Sequence, residues 1–474
     1  MRGTPLKITI LILALASLAL GRRGQDVTLP TSPGAGVFLM LSDIHFDPFP
    51  DPAIVERLGA KLRAGCQTPG PQSFSQYKSD TNYTLLKSTL DYAAATAAKD
   101  HRRYDYVIIT GDFLAHEFDT RYQQCVAGDE EAYKKFASDT IIFVSNLVSE
   151  SFPGVPVFAA LGNNDSDEGD YEMPSGPFLV SVSHNWSAKW GNLSMPARSI
   201  ATRSFERAGY YAVPHPTVRS TELIVLNTNF WTAANTQACS ENDPDPGGQF
   251  GWLAEELGKV KRARRTAALI MHIPPGINTA ESVGPGEPVM LWTERCTEKF
   301  MAEVNGFPRV VREIYAGHIH RDDFRLLQDR AGKPLCPVHI LPAVSPVYGN
   351  NPAVEIGWYD RSNGGLTNYA PLYLDLGTEK PSWATEYVFT QAYGYPRISL
   401  TALEDLSRRI HAGNPSSGVG KQYSSYYAAG AKSSLTPEKW GKYACAQTET
   451  TISSFGKCAN AAAAQEHYPN VEAK

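Results

Sequence analysis

The feature that most limits what this chain can fold into is a recurrence. A short apolar run closes on a carboxylate, an amide or an imidazole, and the pattern returns four more times. Val37-Phe-Leu-Met-Leu41 leads into Ser42-Asp43-Ile44-His45. Tyr104-Asp-Tyr-Val-Ile-Ile-Thr110 leads into Gly111-Asp112, with His116 shortly beyond. Val155-Pro-Val-Phe-Ala-Ala-Leu161 leads into Gly162-Asn163-Asn164-Asp165. Ala267-Ala-Leu-Ile-Met271 ends at His272-Ile-Pro-Pro-Gly276, and Val310-Val-Arg-Glu-Ile-Tyr315 ends at Gly317-His318-Ile-His320. Runs of this length and composition read as buried strands. Helical patterns over 85–98, 130–148 and 251–261 fall between them, which indicates an α/β protein. Ligands of α/β sheets bind beyond the carboxyl ends of the strands, so Asp43, His45, Asp112, Asn163, His272, His318 and His320 would meet at one rim. In strand geometry Asp43 and His45 point to the same face and can grip one ion together.

Further strands are expected over 210–213, 223–227, 338–341 and 369–376. Residues 46–79, rich in Gly, Pro and Ser, read as a long surface loop. Residues 166–203 read as a polar, aromatic, irregular insertion of the kind that often serves a site. Its Trp186 and Trp190, with Phe230 and Trp231, are candidates to line a substrate groove. Lys259–Arg265 reads as a solvated helix end. Beyond Pro381 the texture changes. Leu400, Leu403, Leu406 and Ile410 share one helix face behind a Ser399 cap, Thr436-Pro437 opens another helix, and 413–420 is a loop. The expected layout is a leader at 1–21, a catalytic part at 36–384 and a small helical extension at 385–474.

A chain of 474 residues with 42% hydrophobic and 20% charged side chains will pack a core. Its net charge of −5 gives no electrostatic case for a nucleic-acid duplex as partner. A basic start followed by the apolar stretch 8–20 suits a secretory signal rather than a spanning helix, and no later run is long and apolar enough to span a membrane. Export to the outside, or to a lysosome- or vacuole-like compartment, fits the seven cysteines. Sequence does not set their connectivity. Cys445–Cys458, Cys66–Cys125 and Cys239–Cys296 are the expected pairs, with Cys336 the free thiol. No CxxC spacing marks a thiolate zinc site. Sequons at Asn82, Asn185 and Asn192 offer positions for sugar; Asn164-Asp-Ser matches the pattern too, but lies in the rim.

Oxygen and imidazole donors together suit zinc, manganese or iron. Seven groups are too many for one ion and natural for two that share a carboxylate. The ordered set D-x-H, GD, GN, H and GHxH resembles the calcineurin-like metallophosphoesterases. Gly111-Asp-Phe-Leu-Ala-His116, His272-Ile-Pro-Pro-Gly276, Gly317-His-Ile-His-Arg-Asp-Asp-Phe324 and Ser345-Pro-Val-Tyr-Gly-Asn-Asn-Pro352 resemble the acid sphingomyelinase-like phosphodiesterases, a subgroup that includes endopolyphosphatases. The resemblance implies a four-layer αββα sandwich with a small helical C-terminal extension. It implies one metal on Asp43, His45, Asp112 and His320, and a second on Asp112, Asn163, His272 and His318. A hydroxide bridging the two would be the nucleophile.

One position departs from the family. Where the motif has Gly-Asn-His, this chain has Asn164, whose amide donates a hydrogen bond but gives up no proton at ordinary pH. His116 is the candidate to supply the proton instead, and Asp165 is expected to orient a metal ligand. Asp47, His339, Asp322 and Asp323 are left without an assigned role. The expected function is hydrolysis of a phosphodiester, either a phospholipid head group, which implies contact with a lipid surface, or a nucleotide-type ester. The endopolyphosphatases share Gly-Asn-Asn-Asp, which makes phosphoanhydride cleavage the first alternative. A binding protein that holds metal on the same scaffold is the second.

Overall fold

The computed structural model describes residues 34–66, 73–99, 102–284 and 286–467, so the expected leader lies outside the described residues. In chain order the strands are β1 (Ala35–Leu41), β2 (Val107–Ile109), β3 (Val157–Ala159), β4 (Tyr211–Pro214), β5 (Thr221–Val225) and β6 (Thr266–Ile270). They continue with β7 (Val311–Ala316), β8 (Asp323–Gln328), β9 (Pro334–Ile340), β10 (Ala353–Asp360), β11 (Leu366–Leu374) and β12 (Trp383–Thr385). Two six-stranded mixed sheets result, ordered β12-β11-β10-β1-β2-β3 and β4-β5-β6-β7-β9-β8. β1, β2 and β3 run parallel in the first sheet. β5, β6, β7 and β9 run parallel in the second. Helices flank the sheets, giving the expected αββα arrangement.

Aromatic rings fill the space between the sheets. Phe38 of β1 stacks on Tyr106 at 4.7 Å and meets Tyr315 of β7 edge-on at 5.7 Å. Each such buried ring contributes about 1.5–3 kcal/mol of transfer free energy. The helices form where capping and pattern agree. Asn82 accepts from Leu85 N at the start of Tyr83–Lys99, and Asp129 accepts from Ala132 N at the start of Glu130–Ser151, ahead of an acidic first turn.

Several expectations need correction. The stretch 166–203 is not irregular: it holds the helix Gly176–Ser187 and most of the helix Met195–Ala208. Ser175 and Ser194 cap them, and a proline follows in each first turn. Ser-Gly-Pro reads as a turn, but the same residues serve a helix start. The stretch 46–79 is not a plain surface loop either, since Phe46 and Phe49 are buried and Pro52–Arg57 is a helix. β8 and β10 were hidden by charge. Arg325 interrupts β8 yet is buried, its guanidinium donating to the Pro275 and Ile277 carbonyls. Glu355 interrupts β10 and pairs with His339 of β9 at 2.5 Å.

Past β12 the chain is helical, as expected. Ser399 accepts from Ala402 N at 3.1 Å to cap Leu400–His411. That helix buries Leu403, Leu406 and Ile410 and lies against β8 and β9. Cys66–Cys125, Cys239–Cys296 and Cys445–Cys458 are disulfides, and Cys336 is a buried free thiol. Among the described residues no helix is long and apolar enough to cross a membrane.

Candidate metal centre

Each strand of interest stops just before the residue that matters, and a tight turn carries on. Asp43, His45, Asp112, His318 and His320 all have positive φ, between 44° and 71°. Left-handed backbone is uncommon for residues with a side chain, and its concentration at one place marks a functional site. This corrects the expectation that extended geometry puts Asp43 and His45 on one face: β1 ends at Leu41, and left-handed turns bring them together. The turns lock in pairs. Asp43 N and His45 N donate to the Gly111 and Asp112 carbonyls, and Gly317 N donates to the His272 carbonyl. Only glycine fits the closest approaches. A Cβ on Gly317 would sit 2.0 Å from Ser42 Oγ, and one on Gly162 2.1 Å from Asp112 Oδ1.

The seven expected ligand residues converge, as two clusters that share Asp112. On one side His45 Nε2 lies 3.3 Å from Asp112 Oδ2 and 3.1 Å from His320 Nε2, and His320 Nε2 lies 3.3 Å from Asp43 Oδ1. On the other, His272 Nε2 lies 3.1 Å from the same Asp112 oxygen and 3.0 Å from Asn163 Oδ1, which is 2.9 Å from His318 Nδ1. Donor atoms about 3 Å apart are the edges of a polyhedron around an ion with bonds of about 2.0–2.2 Å.

The donors are aimed by what lies behind them. His45 Nδ1 donates to the Leu114 carbonyl at 3.0 Å, and His272 Nδ1 to the Thr110 carbonyl at 2.9 Å. A ring that donates from Nδ1 presents a bare lone pair at Nε2. Asn163 Nδ2 donates to Asp170 Oδ1 at 2.7 Å, which turns its Oδ1 inward. Asp43 accepts from Ser42 Oγ and from His318 N at 2.9 Å. Lone pairs of carboxylate, amide and imidazole therefore face one another in a buried space, which is unfavourable without a cation among them. The residues fit a pair of divalent ions.

Burial pushes His45 down to about 4 and His318 to about 3, and holds His320 well below the ordinary imidazole range. Neutral imidazole is the form that ligates. His272 goes up to about 9. Burial opposes its charge, but the Asp112 carboxylate beside it, with Asp43 and Asp165 further off, outweighs that. The pocket draws positive charge, and a divalent cation answers the same demand while releasing the proton.

Around the rim the structure places the remaining candidates. His116 stacks on His45 at 4.0 Å. Its Nδ1 donates to Asp80 Oδ1 at 2.9 Å and its Nε2 lies 3.2 Å from the Tyr348 hydroxyl. Burial would lower the His116 pKa, but the Asp80 hydrogen bond and charge raise it overall. Asn164 donates from Nδ2 to Asp112 Oδ2 at 3.0 Å and from its backbone to Oδ1 at 2.9 Å. Asp165 hydrogen-bonds to backbone. It accepts from Phe113 N, Leu114 N and Gly162 N, and so pins the two turns that carry Asp112 and Asn163.

The groove aromatics are not at the site: Trp186, Trp190 and Trp231 are buried in the core, and Phe230 packs beside the second sheet's core. Asp80, Asp170 and Tyr348 were not anticipated. Asp80 lies in a loop far from any motif, Asp170 in the loop five residues past Gly162–Asp165, and Tyr348 inside Ser345–Pro352. Two of the sequons are engaged. Asn82 Nδ2 donates to the Ser73 carbonyl and Asn185 Nδ2 to Asn146 Oδ1, whereas Asn192 is exposed.

Paired turns, a shared carboxylate and inward lone pairs define a metal-dependent phosphoesterase site on an αββα sandwich. The chain belongs to the calcineurin-like phosphoesterase family, whose profile matches residues 36–322. Within it, the chain is related to the acid sphingomyelinase-like phosphodiesterases. It is 27% identical to the human acid sphingomyelinase-like phosphodiesterase 3b, over 89% of this chain and 90% of the relative. It is 24% identical to the human cyclic GMP-AMP phosphodiesterase SMPDL3A, over 90% of each chain. Among solved structures, that of PhoD superposes with a TM-score of 0.44 at 11% identity, over 77% of this chain and 70% of PhoD.

Proposed function

We propose that this chain hydrolyses phosphodiesters at a centre for two divalent cations. The observation that carries the reading is the Asp112 carboxylate lying between two imidazole clusters, 3.3 Å from His45 Nε2 and 3.1 Å from His272 Nε2. Asp43, His45, Asp112 and His320 would hold one ion, and Asp112, Asn163, His272 and His318 the other, with zinc, manganese or iron suited to the donors. When bound, such a pair supplies a Lewis-acid clamp for a phosphoryl group and an acidified water.

The chain's own residues do the rest. His116, held by Asp80 with Nε2 toward the rim, delivers a proton to the leaving oxygen. Asn164 steadies the shared carboxylate and offers an amide N–H to a phosphoryl oxygen. Related enzymes act on phosphodiesters, one of them, by its name, on cyclic GMP-AMP. Three disulfides suit an oxidising compartment, which supports export, and Asn192 is then the sequon open to sugar.

A second reading is favoured by one residue. Asn164 carries no transferable proton, and a phosphoanhydride needs less help at the leaving group than an alkyl diester does. Polyphosphate cleavage is therefore the alternative substrate. The test is a panel of a small phosphodiester, a nucleotide and polyphosphate, with zinc or manganese, against wild type and Asp112→Asn. Diester turnover that falls by at least about 10³ in the variant, together with loss of bound metal, is the expected result. Metal bound by wild type with no phosphoester turned over would make the chain a binding protein.

A further inference from the structure

Tyr348 stands between the metal centre and a neighbouring surface cleft. The cleft, about 570 Å³, is lined among others by Tyr77, Lys78, Tyr348 and Lys432. The buried Asn351 braces it: Oδ1 accepts from the Tyr77 hydroxyl at 2.7 Å, and Nδ2 donates to the Ala429 carbonyl at 2.8 Å. Toward the centre, the Tyr348 ring meets the His320 ring edge-on at 4.7 Å, and the Tyr348 hydroxyl lies 3.2 Å from His116 Nε2.

That hydroxyl covers the one nitrogen through which His116 could act. The other, Nδ1, donates to Asp80 Oδ1 at 2.9 Å. A protonated ring therefore has only its Nε2–H left to give, and the Tyr348 oxygen is the acceptor in front of it. The face of His116 is closed as well, stacked on His45 at 4.0 Å. His116 is half-buried, whereas Tyr348 is 56% exposed. Of the two, Tyr348 is the group that a substrate at the centre meets first.

The hydroxyl sits on a frame held at many points. Asp80 is buried, and besides the His116 ring it accepts from His116 N at 2.9 Å and from the hydroxyl of the buried Ser345 at 3.1 Å. Ser345 opens the turn that carries Tyr348, and its own N donates to the Asp43 carbonyl at 3.0 Å. Asn350 closes the turn, its Nδ2 donating to the Ser345 carbonyl at 2.9 Å. Arg321 clamps it from the other side. Its guanidinium donates to the Tyr348 carbonyl at 3.2 Å and to the His320 carbonyl at 2.8 Å. Hydrogen bonds and the turn thus close a ring through Asp80, His116, Tyr348 and Ser345. A donor fixed in this way is pre-organised, as proton transfer in a transition state requires.

We propose that Tyr348 is a catalytic residue whose hydroxyl donates to the leaving oxygen while His116 replaces the proton it gives up. The phosphorus–oxygen bond to the leaving group breaks. The Tyr348 O–H proton passes to the leaving oxygen, and the His116 Nε2–H proton passes to the Tyr348 oxygen. The hydroxyl is restored, His116 ends neutral, and the leaving group departs as an alcohol or phenol. The inference rests on the phosphoester-hydrolase reading above. It supplies what Asn164 lacks, since that amide gives up no proton. Such a relay matters most for a leaving oxygen that holds its proton tightly, an alkoxide or phenoxide, and least for 4-nitrophenolate.

The experiment uses the full, metal-loaded chain and a series of methyl aryl phosphates, with leaving groups from 4-nitrophenol to unsubstituted phenol. Tyr348→Phe keeps the ring against His320 and removes only the hydroxyl. It lowers kcat on the phenyl ester by about 10²-fold and nearly spares the 4-nitrophenyl ester. His116→Gln shows the same slope, and the double variant loses no more than either alone, because both residues act on one path. A merely structural tyrosine would lower every ester equally, and that result overturns the relay. Mixtures of light and heavy water give a second readout. Wild-type kcat on the phenyl ester curves with deuterium fraction because two protons move, and a straight or flat dependence overturns the relay. Nitrogen-15 NMR of the His116 ring reads the bond without turnover: the Nε2 resonance shifts in Tyr348→Phe, and an unmoved resonance sinks the proposal. Wild type inert on every ester sinks the hydrolase reading and the relay together. An active wild type matched by Tyr348→Phe on every ester sinks the relay alone.

Discussion

The metal centre and the lysine cleft share the Tyr348 wall, yet they are built on opposite terms. The centre is buried and crowded, with left-handed turns, inward lone pairs and two glycines, Gly162 and Gly317, at approaches no Cβ would survive. The cleft is open and carries exposed lysines on a frame fixed by one buried amide, Asn351. Chemistry demands the first arrangement, because cations must be stripped of water and clasped at fixed distances. An exposed ammonium group needs no such frame, because it attracts anions without tight geometry. The difference teaches that substitutions at the centre should act on turnover and metal content, whereas substitutions of the exposed lysines should leave metal content unchanged.

The largest effect that would sharpen this contrast belongs to His116. His116→Gln should lower kcat on a phosphodiester by about 10²–10⁴ and lower polyphosphate cleavage less, since the anhydride needs less acid. The sign with pH follows from the raised pKa of His116. The protonated, donating form is present at low pH and is lost as pH climbs through that raised value, so wild-type kcat declines on the alkaline side. Equal losses on both substrates at every pH would break the assignment.

Asp170 comes next. It turns the Asn163 amide so that oxygen faces His272 and His318. Asp170→Ala should weaken binding of one of the two ions by about 10- to 100-fold, read by competition with a chelator, while the other ion holds. Loss of both ions together would show that the clusters are not separable.

The smallest effect on chemistry is expected at the disulfides. Breaking Cys66–Cys125, which spans 59 residues, should cost about 4 kcal/mol of stability in the chain-entropy account, and breaking Cys445–Cys458, which spans 13, about 3 kcal/mol. Denaturant midpoints measure both. Turnover of the still-folded protein should stay near wild type, because neither bond touches the centre.

Much of the centre was legible in the residues because each ligand ends an apolar run and sits in a motif of a few adjacent positions. Asp43, His45, Asp112, Asn163, His272, His318 and His320 could be named without coordinates as residues that meet at one rim, and three cysteine pairs could be proposed, Cys445–Cys458 from its closeness along the chain. What supports those ligands was not legible. Asp80 reaches His116 from 36 positions away, and Asn351 lies 78 positions from the carbonyl it holds. Nothing in either neighbourhood marks the partner. Aromatics misled for the opposite reason: Trp186 and Trp190 look like groove residues in a polar stretch, but large rings contribute most when buried, and that is where they went.

Local order along the chain decided which residues carry chemistry, since strand, glycine and ligand must be neighbours for a turn to present a side chain. It settled the α/β class for the same reason, through the period of its apolar runs. Packing of the two sheets decided everything that depends on distance between remote segments: the left-handed turns that seat the ligands, the carboxylate shared between two imidazole clusters, and the lysines gathered on one cleft. Those relations come from contacts between stretches 52 to 275 residues apart, and no pattern read within a short window encodes them.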